Sequence, residues 1–352
     1  MAEFVELQIT DVAFGGAGVA RHEGKVYFVP FTAPGDSVRV KVTRAQKKFS
    51  EASLVSVLAP SPDRTEPQCE YFTRCGGCAY QHITYARQLT LKHQQVEQTL
   101  RRVGKFAEVP MRPIVPAPEP YAYRNRIRVH VQDGQAGFFT HRSHALIPIT
   151  HCAIARPAVN DSLRDLRRSP ARDGDYTLFA RDGHEFFEQT NDEVASALLT
   201  LVEQTVRREQ ALLLDAYAGA GFFSHRLAPL FGQVIGIEEN EHAVERARGK
   251  AGANERHLLG DVAMLLAEIL GAHPMDRTTV ILDPPAIGIS PHVADLLAAA
   301  RPSEILYVSC NPATLARDLG ALCSAYRLAS VTPLDMFPQT AEIEVLAVLH
   351  PV

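Results

Sequence analysis

Short apolar runs separated by helical stretches fill the second half of this 352-residue chain. Leu212-Leu213-Leu214, Val234-Ile235-Gly236-Ile237, Val280-Ile281-Leu282 and Ile305-Leu306-Tyr307-Val308 lack polar alternation, as strands of a parallel sheet buried on both faces do. From Phe186 onward the pattern predicts a doubly wound α/β fold. Residues 1–58 follow a different rhythm. Val26-Tyr27-Phe28-Val29 and the alternating Val38-Arg39-Val40-Lys41-Val42 predict short strands. Turns are expected at Gly15-Gly16-Ala17-Gly18 and Ala33-Pro34-Gly35-Asp36. That is the pattern of a small all-β module, and small barrels of this type bind nucleic acid through strand faces and loops. Arg44, Lys47 and Lys48 are its candidate phosphate contacts, or simply solvated surface.

Residues 59–185 lie between these regions and open on a proline-rich joint, Pro60 to Pro67. Arg87 to Val103 predicts an amphipathic helix with a basic end at Arg101 and Arg102. Tyr123 to Val131 alternates basic or polar with apolar residues, predicting a strand with one arginine-rich face suited to phosphates. A solvated sheet face gives the same pattern.

Charge sharpens this division. Residues 59–185 hold 18 Lys+Arg against 13 Asp+Glu, whereas residues 186–352 hold 11 against 21. The basic excess sits where a polyanion could dock, and the acidic part suits a small-molecule site. No run approaches the ~20 apolar residues of a membrane span, and the N-terminus lacks the layout of a signal peptide. A cytoplasmic protein with no membrane partner is expected, with a monomer as the default. Cys69, Cys75 and Cys78 cluster, while Cys152, Cys310 and Cys323 stand apart. In a cytosolic chain such a cluster argues for metal rather than disulfides. Cys323 falls inside an expected helix and reads as core.

Candidate chemistry gathers at strand ends in the last third. Asp215-Ala216-Tyr217-Ala218-Gly219-Ala220-Gly221 follows the first strand and opens a helix, so the Gly219 and Gly221 backbone can approach a ligand closely. Glu238 ends the next strand and can accept both ribose hydroxyls of a nucleoside. Asp261 follows the third strand, within reach of an adenine amino group, and Asp283-Pro284-Pro285 ends the fourth. Each aspartate alone could be a cap or a turn. As a set they point to S-adenosylmethionine, and the lack of a full G-x-G-x-x-G or a following Lys-Ser/Thr weakens dinucleotide and triphosphate alternatives. Cys310 follows the strand Glu304–Val308 in Tyr307-Val308-Ser309-Cys310-Asn311-Pro312. It is either a nucleophile on a loop or a small buried hydrophobe.

These motifs together resemble the RNA uracil-5-methyltransferases, over nearly the whole chain and most like those acting on 23S rRNA. Residues 1–58 are similar to a TRAM domain, an OB-like β-barrel. Cys69-x5-Cys75-Gly76-Gly77-Cys78-x2-Gln81-His82 with Cys152 resembles the family's four-cysteine [4Fe-4S] site. Phe187-Glu188-Gln189-Thr190-Asn191, Asp283-Pro284-Pro285, Tyr307 to Leu319 and Asp335-Met336-Phe337-Pro338-Gln339-Thr340 complete the series.

The resemblance implies three modules: a TRAM barrel over 1–58, a central iron–sulfur α+β RNA-binding domain over 59–185, and a class I Rossmann-like methyltransferase domain over 186–352. The helix 87–103 is expected to pack on the last. It implies cofactor contacts from Gln189, Tyr217, Glu238 and Asp283, Cys310 as nucleophile, Glu344 as the base, and a [4Fe-4S] cluster on Cys69, Cys75, Cys78 and Cys152, with zinc the alternative metal. Glu342 is the local rival for the base. Ala286, where the family often has Arg, Phe222, where it often has Asn, and Glu342, where it often has His, depart from the pattern. The expected substrate is a uridine of 23S rRNA, with tRNA the nearest alternative. An RNA-binding or folding factor with little turnover is the competing class.

Overall fold

The chain is described from a computed structural model, which covers residues 3–141, 143–168, 172–180, 189–207 and 210–352. Strands β1 (Phe4–Val12), β2 (Ala17–His22), β3 (Lys25–Pro30), β4 (Ser37–Ala45) and β5 (Phe49–Ala59) close into a barrel in the order β1-β2-β3-β5-β4. Leu7, Ile9, Val29, Val38 and Val40 fill its interior. The period-two alternation of β4 turns Arg39 and Lys41 outward, as the side-chain alternation of a strand requires. The first glycine-rich turn is shorter than the sequence suggests, because Ala17 and Gly18 already belong to β2. A Cβ on Gly18 would stand 1.9 Å from the Thr32 hydroxyl, so this glycine serves close packing rather than the turn.

Compactness divides the chain into two units. The first takes Met1–Gln95, Ala117–Asp192 and Phe337–Glu342, and the second Val96–Pro116, Glu193–Met336 and Ile343–Val352. Beside the barrel, the first unit holds the N-terminal half of α1 (Tyr85–Arg102) and a four-stranded sheet. That sheet has the order β8-β7-β6-β9, from β6 (Arg126–Gln132), β7 (Gln135–Phe139), β8 (Leu146–Pro148) and β9 (Gly174–Phe179). Ile127, Val129 and Val131 point into its core with Val159 and Leu163 of α2 (Pro157–Arg168). Arg126, Arg128 and His130 take the other face, as the alternation predicts. That face is partly neutralised, because Asp175 on β9 pairs with Arg128 at 2.6 Å and with His130.

The second unit is built on a seven-stranded sheet of order β12-β11-β10-β13-β14-β16-β15. Its strands are β10 (Leu212–Ala216), β11 (Gln233–Glu238), β12 (Glu255–Leu259), β13 (Thr278–Leu282), β14 (Glu304–Ser309), β15 (Tyr326–Leu334) and β16 (Glu344–Pro351). The first five pair in parallel, and β16 runs antiparallel to both β14 and β15. Helices α3 (Asp192–Thr205), α4 (Phe222–Leu227), α5 (Glu241–Lys250), α6 (Val262–Ala272), α7 (Pro291–Ala300) and α8 (Pro312–Leu322) connect or flank them. Val96 and Leu100, in the second half of α1, join this core with Leu212, Val280 and Ile305. Strand order reverses at β10 and β13, which opens a crevice at their carboxyl ends. Among the described residues no helix is long and apolar enough to cross a membrane.

Candidate functional site

The glycine loop between β10 and α4 is shaped by left-handed backbone at three positions: Tyr217 (φ 69°), Gly219 (φ 55°) and Gly221 (φ 89°). Such a φ is uncommon for a tyrosine and strains the chain locally. Asp215, wholly buried, anchors the loop by accepting the Ser224 N–H at 3.0 Å and its hydroxyl at 2.6 Å. A Cβ on Gly221 would press to 2.4 Å from the His225 ring, so only glycine fits there. The helix that follows is six residues long, and the dipole expected from it is correspondingly short.

Glu238 is held ready by two backbone donors. Gly219 N–H reaches one carboxylate oxygen at 3.0 Å and Asn240 N–H the other at 2.8 Å. A carboxylate has about four acceptor positions, so both oxygens keep capacity for ligand hydroxyls. Tyr217, Glu238, Asp261 and Asp283 line one groove of about 490 Å³, with Glu239, Pro284, Pro285, Ile287 and Ser290. Four of the predicted cofactor residues thus come together. Asp261 also caps α6, accepting the Met264 N–H at 2.9 Å, so the cap reading of this aspartate holds while it lines the groove. Glu239 was missed by sequence reasoning, although it adjoins Glu238 at the same strand end. The groove carries four carboxylates and no Lys or Arg among its lining residues. Burial, then the charges of Asp261, Glu239 and Asp318, pushes the Tyr217 phenol up to about 12. Such a field favours a ligand rich in donors or positive charge and disfavours phosphates.

Cys310 follows β14 directly and is half-buried. Glu344, 3 % exposed, is the first residue of β16. The antiparallel register pairs Ser309 with Val345, and one step further along that ladder Cys310 stands across from Glu344. The neighbourhood is fixed from α8. Asn311 donates to the Ala286 carbonyl at 3.3 Å and Thr314 at 3.0 Å, which ties the Cys310 turn to the loop after Asp283-Pro284-Pro285. Asp318 accepts the Tyr307 hydroxyl at 2.6 Å and the Ile289 N–H at 3.0 Å. Burial and the Asp318 carboxylate push the Tyr307 phenol far above its ordinary range. Ala286 therefore keeps a role through its carbonyl even though it lacks the guanidinium of the family pattern. Glu342 differs from Glu344 in kind: it is largely exposed, precedes the strand and pairs with Arg124 at 3.5 Å within the first unit.

Cys69, Cys75, Cys78 and Cys152 line a second cavity, of about 180 Å³, inside the first unit. Tyr71, Arg124, Ile127 and Ile149 share its wall. Burial pushes the Cys78 thiol up to about 12 and the Cys152 thiol up to about 11. Neighbouring cysteines raise both further, and the Arg124 charge opposes the rise. Four cysteines around one cavity suit a metal centre. Cys323 corrects its expectation: it caps the end of α8, exposed, with its sulfur 2.9 Å from the Gly320 carbonyl. Gln189 belongs to the first unit, where its carbonyl accepts from Asn125 Nδ2 at 2.8 Å. Phe187 and Glu188 of the same motif lie outside the described residues.

Comparisons with known proteins agree with this geometry. The profile of the tRNA (Uracil-5-)-methyltransferase family matches residues 170–351, and that of the TRAM domain residues 3–55. An uncharacterised RNA methyltransferase of Bdellovibrio bacteriovorus is 36% identical, over 98% of this chain and 95% of that protein. Another, from Protochlamydia amoebophila, is 32% identical over 99% and 98%. Among solved structures, the Pyrococcus abyssi tRNA (uracil-54, C5)-methyltransferase in complex with S-adenosyl-L-homocysteine superposes with a TM-score of 0.72 at 25% identity, covering 98% of this chain and all of that one. The chain belongs to the tRNA (uracil-5-)-methyltransferase family of S-adenosylmethionine-dependent RNA methyltransferases, with a TRAM domain as its first module.

Proposed function

We propose that this enzyme methylates carbon 5 of a uridine in RNA through a covalent bond between Cys310 and carbon 6 of the uracil, with Glu344 as the base. The observation that carries the proposal is the β14–β16 register: its last pair, Ser309 with Val345, is flanked by the half-buried Cys310 just after β14 and the buried Glu344 at the start of β16. S-adenosylmethionine, bound by Tyr217, Glu238, Asp261 and Asp283 against the Gly219–Gly221 backbone, supplies an electrophilic methyl group. Gln189 is carried over as a further cofactor contact. The Cys310 thiolate adds to carbon 6 and sends the electron pair of the 5,6 double bond into an enolate, so that carbon 5 becomes nucleophilic. Carbon 5 bonds the methyl as the sulfur–methyl bond breaks and S-adenosylhomocysteine leaves. Glu344 then takes the proton from carbon 5, the pair left behind re-forms the double bond, and the thiolate leaves carbon 6. The uridine must leave its stack to reach these atoms, and Ala286 and Ile287, tied to the Cys310 turn through Asn311, are exposed to meet it.

Within the first unit, Cys69, Cys75, Cys78 and Cys152 would hold a [4Fe-4S] cluster. The four cysteines lining one cavity, in the spacing that resembles the family's four-cysteine site, support it, with zinc the alternative metal. No electron transfer enters the reaction, so its role is structural or lies in shaping the RNA-binding domain. 23S rRNA is the substrate we favour, on the pairing of a TRAM barrel with a four-cysteine site. A tRNA substrate has its own support, the full-length likeness to the Pyrococcus abyssi enzyme. Mapping 5-methyluridine in separated RNA classes from cells with and without the gene tests both. Loss of one 23S rRNA site supports the first, loss of a tRNA site the second, and no loss in any RNA overturns the activity.

A further inference from the structure

The segment Phe337–Glu342 is two residues from Glu344 in sequence, yet it is packed into the first unit. Two sets of contacts hold it there, joined through Gln88, which also donates to the Tyr80 carbonyl at 3.2 Å. One is α1, whose buried Lys92 donates to the Phe337 carbonyl at 3.0 Å and the Glu342 carbonyl at 2.8 Å, with Gln88 bonding the Gln339 side chain at 2.9 Å. The other comes from the cysteine site. The Ala79 and Tyr80 N–H groups, directly after Cys78, both donate to the Gln339 carbonyl at 2.9 Å. Arg124 lines the cysteine cavity, and its guanidinium lies 5.8 Å from the centre of the Phe337 ring and 3.5 Å from the Glu342 carboxylate. The Arg124 backbone is bonded to Ile154 and Arg156, just after Cys152, at 2.8 and 2.9 Å. Next to it, the Tyr123 hydroxyl donates to the Pro338 carbonyl at 3.0 Å.

We propose that Arg124 is a positioning residue that ties the four-cysteine metal site to the Phe337–Glu342 segment, so that metal binding orders the chain leading to Glu344. The inference rests on the metal reading given above. A cluster held by four thiolates is a buried negative group, and of the two arginines in its wall, Arg124 and Arg128, Arg124 is the one that also reaches the Phe337–Glu342 segment. With the metal in place, Arg124 is held between that charge and the two ends of the segment. Without it, Arg124 and the Cys78–Tyr80 peptide lose their fixed point, and only the α1 grip is left.

Hydrogen–deuterium exchange of the full-length protein tests this, comparing anaerobically purified protein, the same protein after oxidative removal of its metal with a chelator, and metal-loaded Arg124→Met. Peptides covering 337–342 are expected to exchange faster, by a factor on the order of ten, both on metal removal and in the loaded variant. Unchanged exchange there after metal removal, while peptides covering 69–78 open, overturns the coupling. Protection that falls on metal removal but stays complete in loaded Arg124→Met overturns the part given to Arg124. The wild-type comparison needs no variant to fold. Iron content and visible absorbance of the starting protein report separately on the cluster: zinc in place of iron sinks the [4Fe-4S] reading, and the exchange result still decides the coupling.

Discussion

The two cavities of this protein are opposite in construction. The groove of the second unit is open and acidic, and its carboxylates come from strand ends, with Glu238 and Asp261 fixed by backbone donors. The cysteine cavity is sulfur-lined and largely apolar, and its four cysteines span Cys69 to Cys152. A strand-end site exists before its ligand arrives, because the sheet builds it. Four half-buried thiols gain little from one another until a cation binds them. The first site should therefore tolerate single losses as graded changes in affinity, and the second should fail as a whole.

That contrast can be broken most sharply at the chemistry. Cys310→Ala should abolish methylation, a loss on the order of 10⁴-fold or more in turnover measured with tritiated cofactor, because a missing nucleophile has no substitute. It should leave cofactor affinity and iron content unchanged. Cys78→Ser should remove the iron and the visible absorbance together, since a three-thiolate remnant cannot close the site, and thermal melting should show the first unit loosened. In the groove, Glu238→Gln should weaken cofactor binding by roughly 10- to 100-fold in calorimetry, about one or two charge-assisted hydrogen bonds at ~1.5 kcal/mol each. Apoprotein should bind Co²⁺ more tightly as pH rises from 7 to 9. The Cys78 and Cys152 thiols, held up at about 12 and 11, are protonated throughout that range and must shed protons to bind metal. A flat affinity across that window would contradict the burial argument. At the bottom of the scale, Cys323→Ser should change neither iron content nor turnover, because that cysteine is exposed and outside both cavities.

Sequence and structure agree best where local pattern decides the outcome. The apolar runs at Leu212, Val234, Val280 and Ile305 became β10, β11, β13 and β14, since a strand buried on both faces must be apolar throughout. Glu238 and Asp283 were legible for the same reason: they are the first polar residues after such runs. What stayed hidden depends on partners far away in the chain. Nothing near Arg128 announces that Asp175 will neutralise it, nor does Pro338 announce the Tyr123 hydroxyl. Cys323 looked like core because Leu322 before it is core, but α8 ends one residue too early to bury it. Glu344 and Glu342 have equal charge and alternate positions, and only the start of β16 between them separates a buried carboxylate from an exposed one.

The assignment of Cys310 and Glu344 to one reaction is tested most directly by denaturing gel and mass spectrometry of Glu344→Gln incubated with substrate RNA and S-adenosylmethionine. The expected product is a protein–RNA adduct that survives denaturation, carries one added methyl group and maps to Cys310, because proton removal is blocked after methyl transfer. Free, fully methylated RNA with no adduct, or the adduct appearing in Glu342→Gln instead, would contradict the account.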